Sequence, residues 1–220
     1  MMKTRILFLE ELNRLRHDIV DMADRVVQDL EKAISVLRNN DGELACEVKA
    51  SDAVVNAMQL KIEDEAAMII ATQQPVARDL RELVTIFKIT GNLERIGDYT
   101  VHLARTAVKF SPETPFPAAE HLERMAETGR DMIRAAIGAY LNQDDGAARE
   151  AAMLDDKIDE EHRLLTEKVL SLMKEYPELS KKAVLILNTS GFLERLGDHV
   201  TNICEGIIYM ILGRHEELND

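Results

Sequence analysis

The stretch Leu-Glu-Arg-Ile-Gly-Asp at residues 93–98 decides the fold, because it returns as Leu-Glu-Arg-Leu-Gly-Asp at residues 193–198. The match continues in register on the amino-terminal side, where Gly91 corresponds to Gly191. The two copies lie 100 positions apart in a chain of 220 residues. This spacing indicates an internal duplication, so we expect two units of the same fold.

The composition is typical of amphipathic helices. Apolar residues make up 46% of the chain and charged residues 30%, and Trp is absent. No alternating pattern indicates a sheet. We therefore predict an all-α protein of two tandem, duplicated three-helix bundles. Helices of about 25 to 35 residues would be roughly 40 to 50 Å long and would make the molecule elongated.

Apolar residues recur at steps of three and four, which indicates long helices separated by recognisable breaks. In the first half, residues 39–42 (Asn-Asn-Asp-Gly) end one helix and Pro75 ends the next, because proline cannot donate to a continuing helix. In the second half we expect helices over residues 122–141 and 147–175. A last helix should open at Pro177 and close at Gly213. The stripe predicted for the third helix of the first half is Leu80, Leu83, Phe87, Thr90, Val101 and Val108.

The segment 111–117 separates the two units. It holds three of the five prolines of the chain, which favours a linker. We therefore place the first repeat at residues 1–112 and the second at residues 113–220.

The acids of the repeated motif have an unusual position. Glu94 and Asp98, like Glu194 and Asp198, are four residues apart, so both carboxylates of a copy point from one face of a helix. Glu94 continues the apolar spacing of its helix and should lie on or beside the packing seam. An ionised acid partly removed from water costs several kcal/mol unless a partner or a cation compensates.

Further oxygen ligands are expected from the preceding helix of each half, which carries Asp52 and Asn56 or Asp155 and Asp159 at the same spacing. Such oxygen clusters suit divalent or trivalent cations such as Mg, Mn, Fe or Zn. The half-sites differ because Asn56 is neutral and because His102 could add a nitrogen, so their cation affinities should differ. The predicted metal ligands are Asp52, Asn56, Glu94, Asp98, Asp155, Asp159, Glu194 and Asp198.

An alternative is that Glu94 and Glu194 form buried ion pairs that fix helix register. The candidate arginines are Arg95, Arg78, Arg81 and Arg195. Four histidines are interpreted as surface residues, namely His17, His121, His162 and His215. Asp159-x-x-His162 is similar to the Glu-x-x-His motif of di-iron bundles, but the first half has Gln59 at the matching place.

Charge and motifs exclude several classes of function. A net charge of −13 argues against binding to nucleic acid or to anionic lipid, both of which need clustered Lys and Arg. The two cysteines predict neither a disulfide framework nor a thiolate metal site, and no export signal or membrane span is expected. No nucleophile with an adjacent base and no phosphate loop appears. A metal-binding interaction module is favoured over an enzyme.

The two signature helices, Gly-Asn-Leu-Glu-Arg-Ile-Gly-Asp from Gly91 and Gly-Phe-Leu-Glu-Arg-Leu-Gly-Asp from Gly191, resemble those of the PhoU family. The resemblance extends to Pro75-Val76-Ala77-Arg78-Asp79-Leu80-Arg81, to the size and to the tandem layout. It covers nearly the whole chain.

This resemblance implies a cytoplasmic regulator of phosphate uptake that acts with the ATPase subunit of the phosphate ABC transporter. It also implies negative regulation of the phosphate regulon through a sensor histidine kinase, metal clusters on paired acid-x-x-x-acid motifs, and a homodimer. The second half matches that metal motif fully, whereas the first half departs from it at Asn56. Contact with the membrane is expected only through partners.

Two other classes of function remain open from the residues alone. A metal-dependent enzyme that handles or stores phosphate could use the same carboxylates. A helical chaperone would instead show exposed apolar stripes and bind no metal.

Overall fold

A computed structural model describes residues 2–109 and 118–218, and within them all regular structure is helical, as predicted. The predicted linker and the boundary between residues 112 and 113 lie outside the described residues. In the described residues, seven α-helices follow one another, with one turn of 3₁₀ helix at Pro177–Leu179 before the last. They are α1 (Met2–Asn39), α2 (Gly42–Gln73), α3 (Ala77–Ala107), α4 (Ala118–Asn142), α5 (Asp145–Ala152), α6 (Asp155–Glu175) and α7 (Ser180–Leu212).

The helix ends follow from the residues that mark them. Asp41 caps α2, since one of its carboxylate oxygens accepts the backbone N–H groups of Glu43 and Leu44 at 3.0 Å each. Gln74 ends α2 in a left-handed conformation (φ 50°) directly before Pro75. Gly213 ends α7 at φ 73°, where glycine avoids the steric cost of a side chain. The predicted breaks at these three places are confirmed.

The single long helix expected over residues 147–175 is wrong. The chain leaves the helix at Met153 and Leu154, where the Leu154 N–H bonds to the Ala151 carbonyl at 3.3 Å in a tighter turn. A new helix, α6, then begins at Asp155, which is only 6% exposed. Acids are favoured in the first turn of a helix, because its N-terminus carries a partial positive charge. The pair Asp155-Asp156 was the available signal for this start.

Helices α1, α2 and α3 pack together as one bundle, and α4 packs with α5, α6 and α7 as the other. The stripe predicted for α3 is partly wrong, because Leu80 is 37% exposed and Phe87 only half-buried. The core face of α3 instead contains Leu83, Ile86, Ile89, Leu93, Ile96 and Leu103. Glu94 therefore lies beside this face rather than on it.

The bundles lie side by side, and the most extensive contact between any two helices is that of α3 with α7. The Thr85 hydroxyl donates to the Gly206 carbonyl at 3.2 Å. Further along, His199 Nδ1 lies 2.7 Å from the Asn92 side-chain oxygen. Residue numbers rise on one helix as they fall on the other, so α3 and α7 run antiparallel.

A ring cluster marks the centre of this contact and shows its symmetry. Tyr99 stacks on Phe192 at 5.8 Å between ring centroids, and His102 stacks on the same ring at 4.6 Å. A shift of 100 positions converts the contact of Tyr99 with Phe192 into that of His199 with Asn92. The two repeats are thus related by an approximate two-fold axis, and their motifs lie on adjacent helices.

Candidate metal centres

In the first half, the fold brings Asp52 of α2 close to the acids of α3. Burial, then repulsion from Asp98, raises the pKa of Asp52 above its usual value. Burial and Asp98 likewise raise the pKa of Glu94, although Arg95 opposes the shift. Asn56 is half-buried one turn after Asp52. Three predicted carboxylates thus lie near one another, and the ionised forms of Asp52 and Glu94 are disfavoured.

Glu63 is a further acid of this region that the sequence analysis missed. It adds to the repulsion on Glu94. One of its oxygens accepts the side-chain amide of Gln59 at 2.9 Å and the hydroxyl of Thr90 at 3.1 Å. Glu63 follows Gln59 by four residues on α2, so the helical spacing was a signal for it.

In the second half, Asp155 is the most buried of the predicted ligands, with 6% exposure. Its Oδ2 accepts the Thr201 hydroxyl at 3.2 Å, whereas its Oδ1 is buried and has no hydrogen-bond partner among the described residues. Burial, then repulsion from Asp159 and Asp198, raises the pKa of Asp155 to about 7. An orphaned buried carboxylate oxygen is costly, and a bound cation would satisfy it.

The other acids of the second half meet Asp155. Burial and repulsion from Asp198 raise the pKa values of Asp159 and Glu194, and His162 opposes both shifts. His162 is half-buried, and its Nδ1 is enclosed without a hydrogen-bond partner among residues 2–109 and 118–218. The prediction of a surface histidine is therefore only partly right for His162, because its Nδ1 is buried while the side chain keeps some exposure.

The surface prediction fails for His121, which is 4% exposed between α4 and α6. Its Nδ1 lies 2.5 Å from a Glu161 oxygen and its Nε2 lies 2.7 Å from the Lys168 ammonium. These contacts satisfy both ring nitrogens, so His121 is a paired core histidine.

Gly197 allows the close approach of Asp155. A methyl group at residue 197 would overlap Asp155 Oδ1 and would lie 3.1 Å from Ile158 Cδ1. Gly97 has only an ordinary contact, 3.5 Å from Val55 Cγ1. Gly191 has no atom within 4 Å of such a methyl group, so it does not mark a close approach.

This difference gives opposite expectations for two alanine substitutions in α7. Gly197→Ala should lower the free energy of unfolding by about 1 to 3 kcal/mol, because Asp155, buried and bonded to Thr201, has little room to yield. Gly191→Ala should raise it by up to about 1 kcal/mol through helix propensity alone. Urea denaturation of both variants measures the two changes. A shift of the same sign in both would contradict the close approach.

The alternative of buried ion pairs has little support. Arg95 is the arginine nearest the first site, 3.6 Å from Glu94 and 3.4 Å from Asp98, but its side chain is 60% exposed.

The other candidate arginines have different partners. Arg78 donates to the Gln143 side chain, and Arg81 donates to the Met210 carbonyl at 3.3 Å. Arg195 lowers the pKa of Glu194 only weakly beside the other causes. Exposed pairs of this kind contribute little to stability.

A cavity of about 550 Å³ opens over the acids of the second half. Its lining adds residues that the sequence analysis did not single out. They are Arg149, Ala152, Met153, Asp156 and Leu218, beside Asp155, Asp159, Glu194 and Asp198. Across the described parts of the chain, no three His, Cys, Asp or Glu side chains already converge as metal ligands. The carboxylates would therefore have to rotate inwards to hold a cation.

The second half fits a cation better than the first. It offers four carboxylates, a buried unpartnered oxygen on Asp155 and a nearby histidine nitrogen on His162. In the first half, the ring of His102 stacks on Phe192, which does not support its predicted role as a nitrogen ligand beside Asp98. Oxygen ligands with one nitrogen suit Mn, Fe and Zn.

Comparison with known proteins agrees with this architecture. The family model described as PhoU domain matches residues 19–107 and 122–207, one match in each repeat. The phosphate-specific transport system accessory protein PhoU of Escherichia coli is 31% identical over 207 residues, which cover 94% of this chain and 86% of that protein. A homologue from Clostridium acetobutylicum is 30% identical over 99% of this chain and 100% of its own length.

Solved structures show the same fold. The crystal structure of PhoU from Pseudomonas aeruginosa superposes with a TM-score of 0.88 at 30% identity, over 94% of this chain and 100% of that one. The phosphate transport system regulatory protein PhoU from Streptococcus pneumoniae gives 0.89 at 27% identity, over 96% and 100%. These names describe accessory and regulatory proteins, which confirms the expectation of a regulator over an enzyme. With both repeats matched, the chain belongs to the PhoU family.

Proposed function

We propose that the protein is an accessory regulator of phosphate uptake and of phosphate-regulon signalling. The observation that carries this proposal is the match of both repeats to a family whose members are named for the phosphate transport system. In the proposed role, the protein acts in the cytoplasm as an adaptor. It docks on the ATPase subunit of the phosphate ABC transporter and on a sensor histidine kinase, and it restrains the starvation response.

We further propose that the adaptor binds metal ions at its carboxylate clusters. Asp155 supports this for the second half, because an unpartnered buried oxygen beside three further acids leaves uncompensated negative charge that a cation would neutralise. The residues that would hold the ion are Asp155, Asp159, Glu194 and Asp198, with Asp52, Asn56, Glu94 and Asp98 in the first half. The ion would be Fe, Zn, Mn or Mg, according to availability as much as affinity.

A homodimer is part of the proposal. Large apolar side chains on the outer face of α2 support it, since Leu60 is 62% exposed and Met68 is 63% exposed. These two residues are eight positions apart and so lie on one side of the helix. An apolar stripe of this kind favours burial against a second copy.

Membrane fractionation tests the adaptor role. No helix in the described part of the chain is long and apolar enough to span a bilayer, and the net charge of −13 repels anionic lipid. We therefore expect the protein to sediment with membranes only when the transporter ATPase or the sensor kinase is present. Deletion of its gene should leave the starvation response active in rich phosphate.

Strains that lack the ATPase, the kinase or both are the matched controls. Membrane association that persists without both partners would overturn the adaptor role. A deletion strain that still represses the response in rich phosphate would do the same.

A further inference from the structure

The chain continues past α7 as a short segment, residues 213–218, that we call the C-terminal strap. Gly213 reverses the chain direction at φ 73°. Beyond Arg214 the strap has no helical structure. Six residues of extended chain can span roughly 20 Å, about the length of the last four turns of α7.

The strap retraces α7 towards the second carboxylate cluster. The ring of His215 stacks on Tyr209, with 4.2 Å between the centroids and 5° between the planes. Three residues later, the Leu218 N–H donates to a Glu205 carboxylate oxygen at 2.9 Å. The partners on α7 therefore move back along the helix as the strap advances.

Two side chains attach the strap to the walls of the cavity. Glu216 forms an ion pair with Arg149 of α5, with 2.6 Å between Arg149 Nη2 and Glu216 Oε2. Leu218 packs on the hydrophobic core and lines the cavity together with Arg149. One wall of the cavity thus belongs to a non-helical segment.

The cavity that the strap borders is the one over the second carboxylate cluster. Asp155, 6% exposed with an unpartnered Oδ1, forms part of its lining, as do Glu194 and Asp198. The helices that carry these acids are fixed by core packing. Among residues 2–109 and 118–218, the contacts that hold the strap are the ring stack, the ion pair, one hydrogen bond and the packing of Leu218, so the strap is the wall that can open at least cost.

We propose that the C-terminal strap is a closure over the second carboxylate cavity, and that its opening controls how fast a divalent cation enters and leaves. The consequence for cations rests on the proposed metal sites, whereas the closure itself does not. Glu216 and Leu218 act by positioning the strap. The first site has no part in this closure.

A thiol placed on the cavity wall tests the closure without any metal. Ala152 lines the cavity and is 7% exposed, so Ala152→Cys in a Cys46→Ser background gives a shielded reporter. Burial raises the pKa of the Cys204 thiol to about 12, so Cys204 stays unreactive. The rate of maleimide alkylation then measures access to the cavity.

We expect Glu216→Gln to raise the alkylation rate of the reporter about fivefold, as loss of a partly exposed ion pair allows. Adding Leu218→Ala should raise the rate about 20-fold or more, because the apolar anchor is lost as well. Glu217→Gln is the matched control, since Glu217 is exposed on the same strap and carries the same charge. Met153→Cys serves as an exposed reporter on the same cavity. Because residue 153 is 67% exposed, its alkylation rate should be the same in every strap variant.

Equal alkylation of the reporter in all strap variants would overturn the closure. A rise with Glu217→Gln as large as that with Glu216→Gln would also overturn it. Thermal unfolding of each variant shows whether a faster rate comes from global destabilisation, and hydrogen exchange of the Leu218 amide gives an independent measure of strap opening.

The consequence for cations is measured as release of Mn²⁺ to excess EDTA. The strap variants should release Mn²⁺ faster from the second half, by the same factors as for alkylation, and Glu217→Gln should not. Unchanged release from a protein that binds Mn²⁺ would overturn the control of exchange. A protein that binds no Mn²⁺ would contradict the proposed metal function, while the alkylation experiment would still decide whether the strap closes the cavity.

Discussion

With Glu194→Gln and Asp198→Asn combined, Mn²⁺ binding in the second half should weaken by about 100-fold or more. The amides keep the shape of the carboxylates but remove two of the four negative charges that would face the ion. The same change relieves repulsion on Asp155 and Asp159, so the fold should not be weakened. Isothermal titration of metal-free protein measures the affinity, and circular dichroism measures the helical content.

The matched control for this pair is Glu43→Gln with Glu47→Gln. These acids are also four residues apart on a helix, but both are exposed. The control should bind Mn²⁺ as the parent does. Equal affinity in the Glu194 and Asp198 double variant and in the parent would remove the second site from the proposal.

Without metal, the protein should be less stable at pH 8 than at pH 5 because of Asp155. Its pKa in the folded state is about 7, above the value of 3.8 of an unperturbed carboxyl. The folded state therefore keeps this proton where the unfolded state loses it. The stability that the proton contributes is complete below about pH 4 and is lost as the pH rises to 7.

The neutral isostere should remove this loss. We expect Asp155→Asn to raise the free energy of unfolding by on the order of 3 kcal/mol at pH 8 and about 1 kcal/mol at pH 5. The Asn oxygen can still accept the hydroxyl of Thr201. Urea denaturation in EDTA at both pH values measures the difference, with the exposed neighbour Asp156→Asn as the control. A variant no more stable than the parent at pH 8 would show that the pKa of Asp155 is not raised in the folded state.

Local patterns predicted much of the fold. The breaks at residues 39–42, at Pro75 and at Gly213 depend on conformational limits that those residues impose wherever they occur. The duplication fixed the number of bundles. The joint at Met153 and Leu154 contains no such residue, and its one local signal is the acidic pair Asp155-Asp156 that opens α6.

The candidate site was predictable to the same degree. Helical spacing placed Glu194 with Asp198, and antiparallel packing placed both near Asp155. His162 was missed because its burial depends on how α6 lies on α7, and spacing along one helix does not specify that rotation. Leu218 was missed because a strap that folds back over a helix has no periodic signal, and Arg149 because its place in the cavity wall depends on how α5 packs.

The break between α5 and α6, directly before Asp155, should also affect which ionic radii the second half can accept. In the first half, Asp52 and Asn56 project from the middle of an unbroken α2, so their separation from the acids of α3 is set by the packing of two long helices. In the second half, Asp155 and Asp159 occupy the first turns of α6, directly after the joint. A small rotation there would move both carboxylates together. Under the proposed metal binding, the second half should therefore accept a wider range of ionic radii than the first, within the limit that core packing sets on the movement of α6.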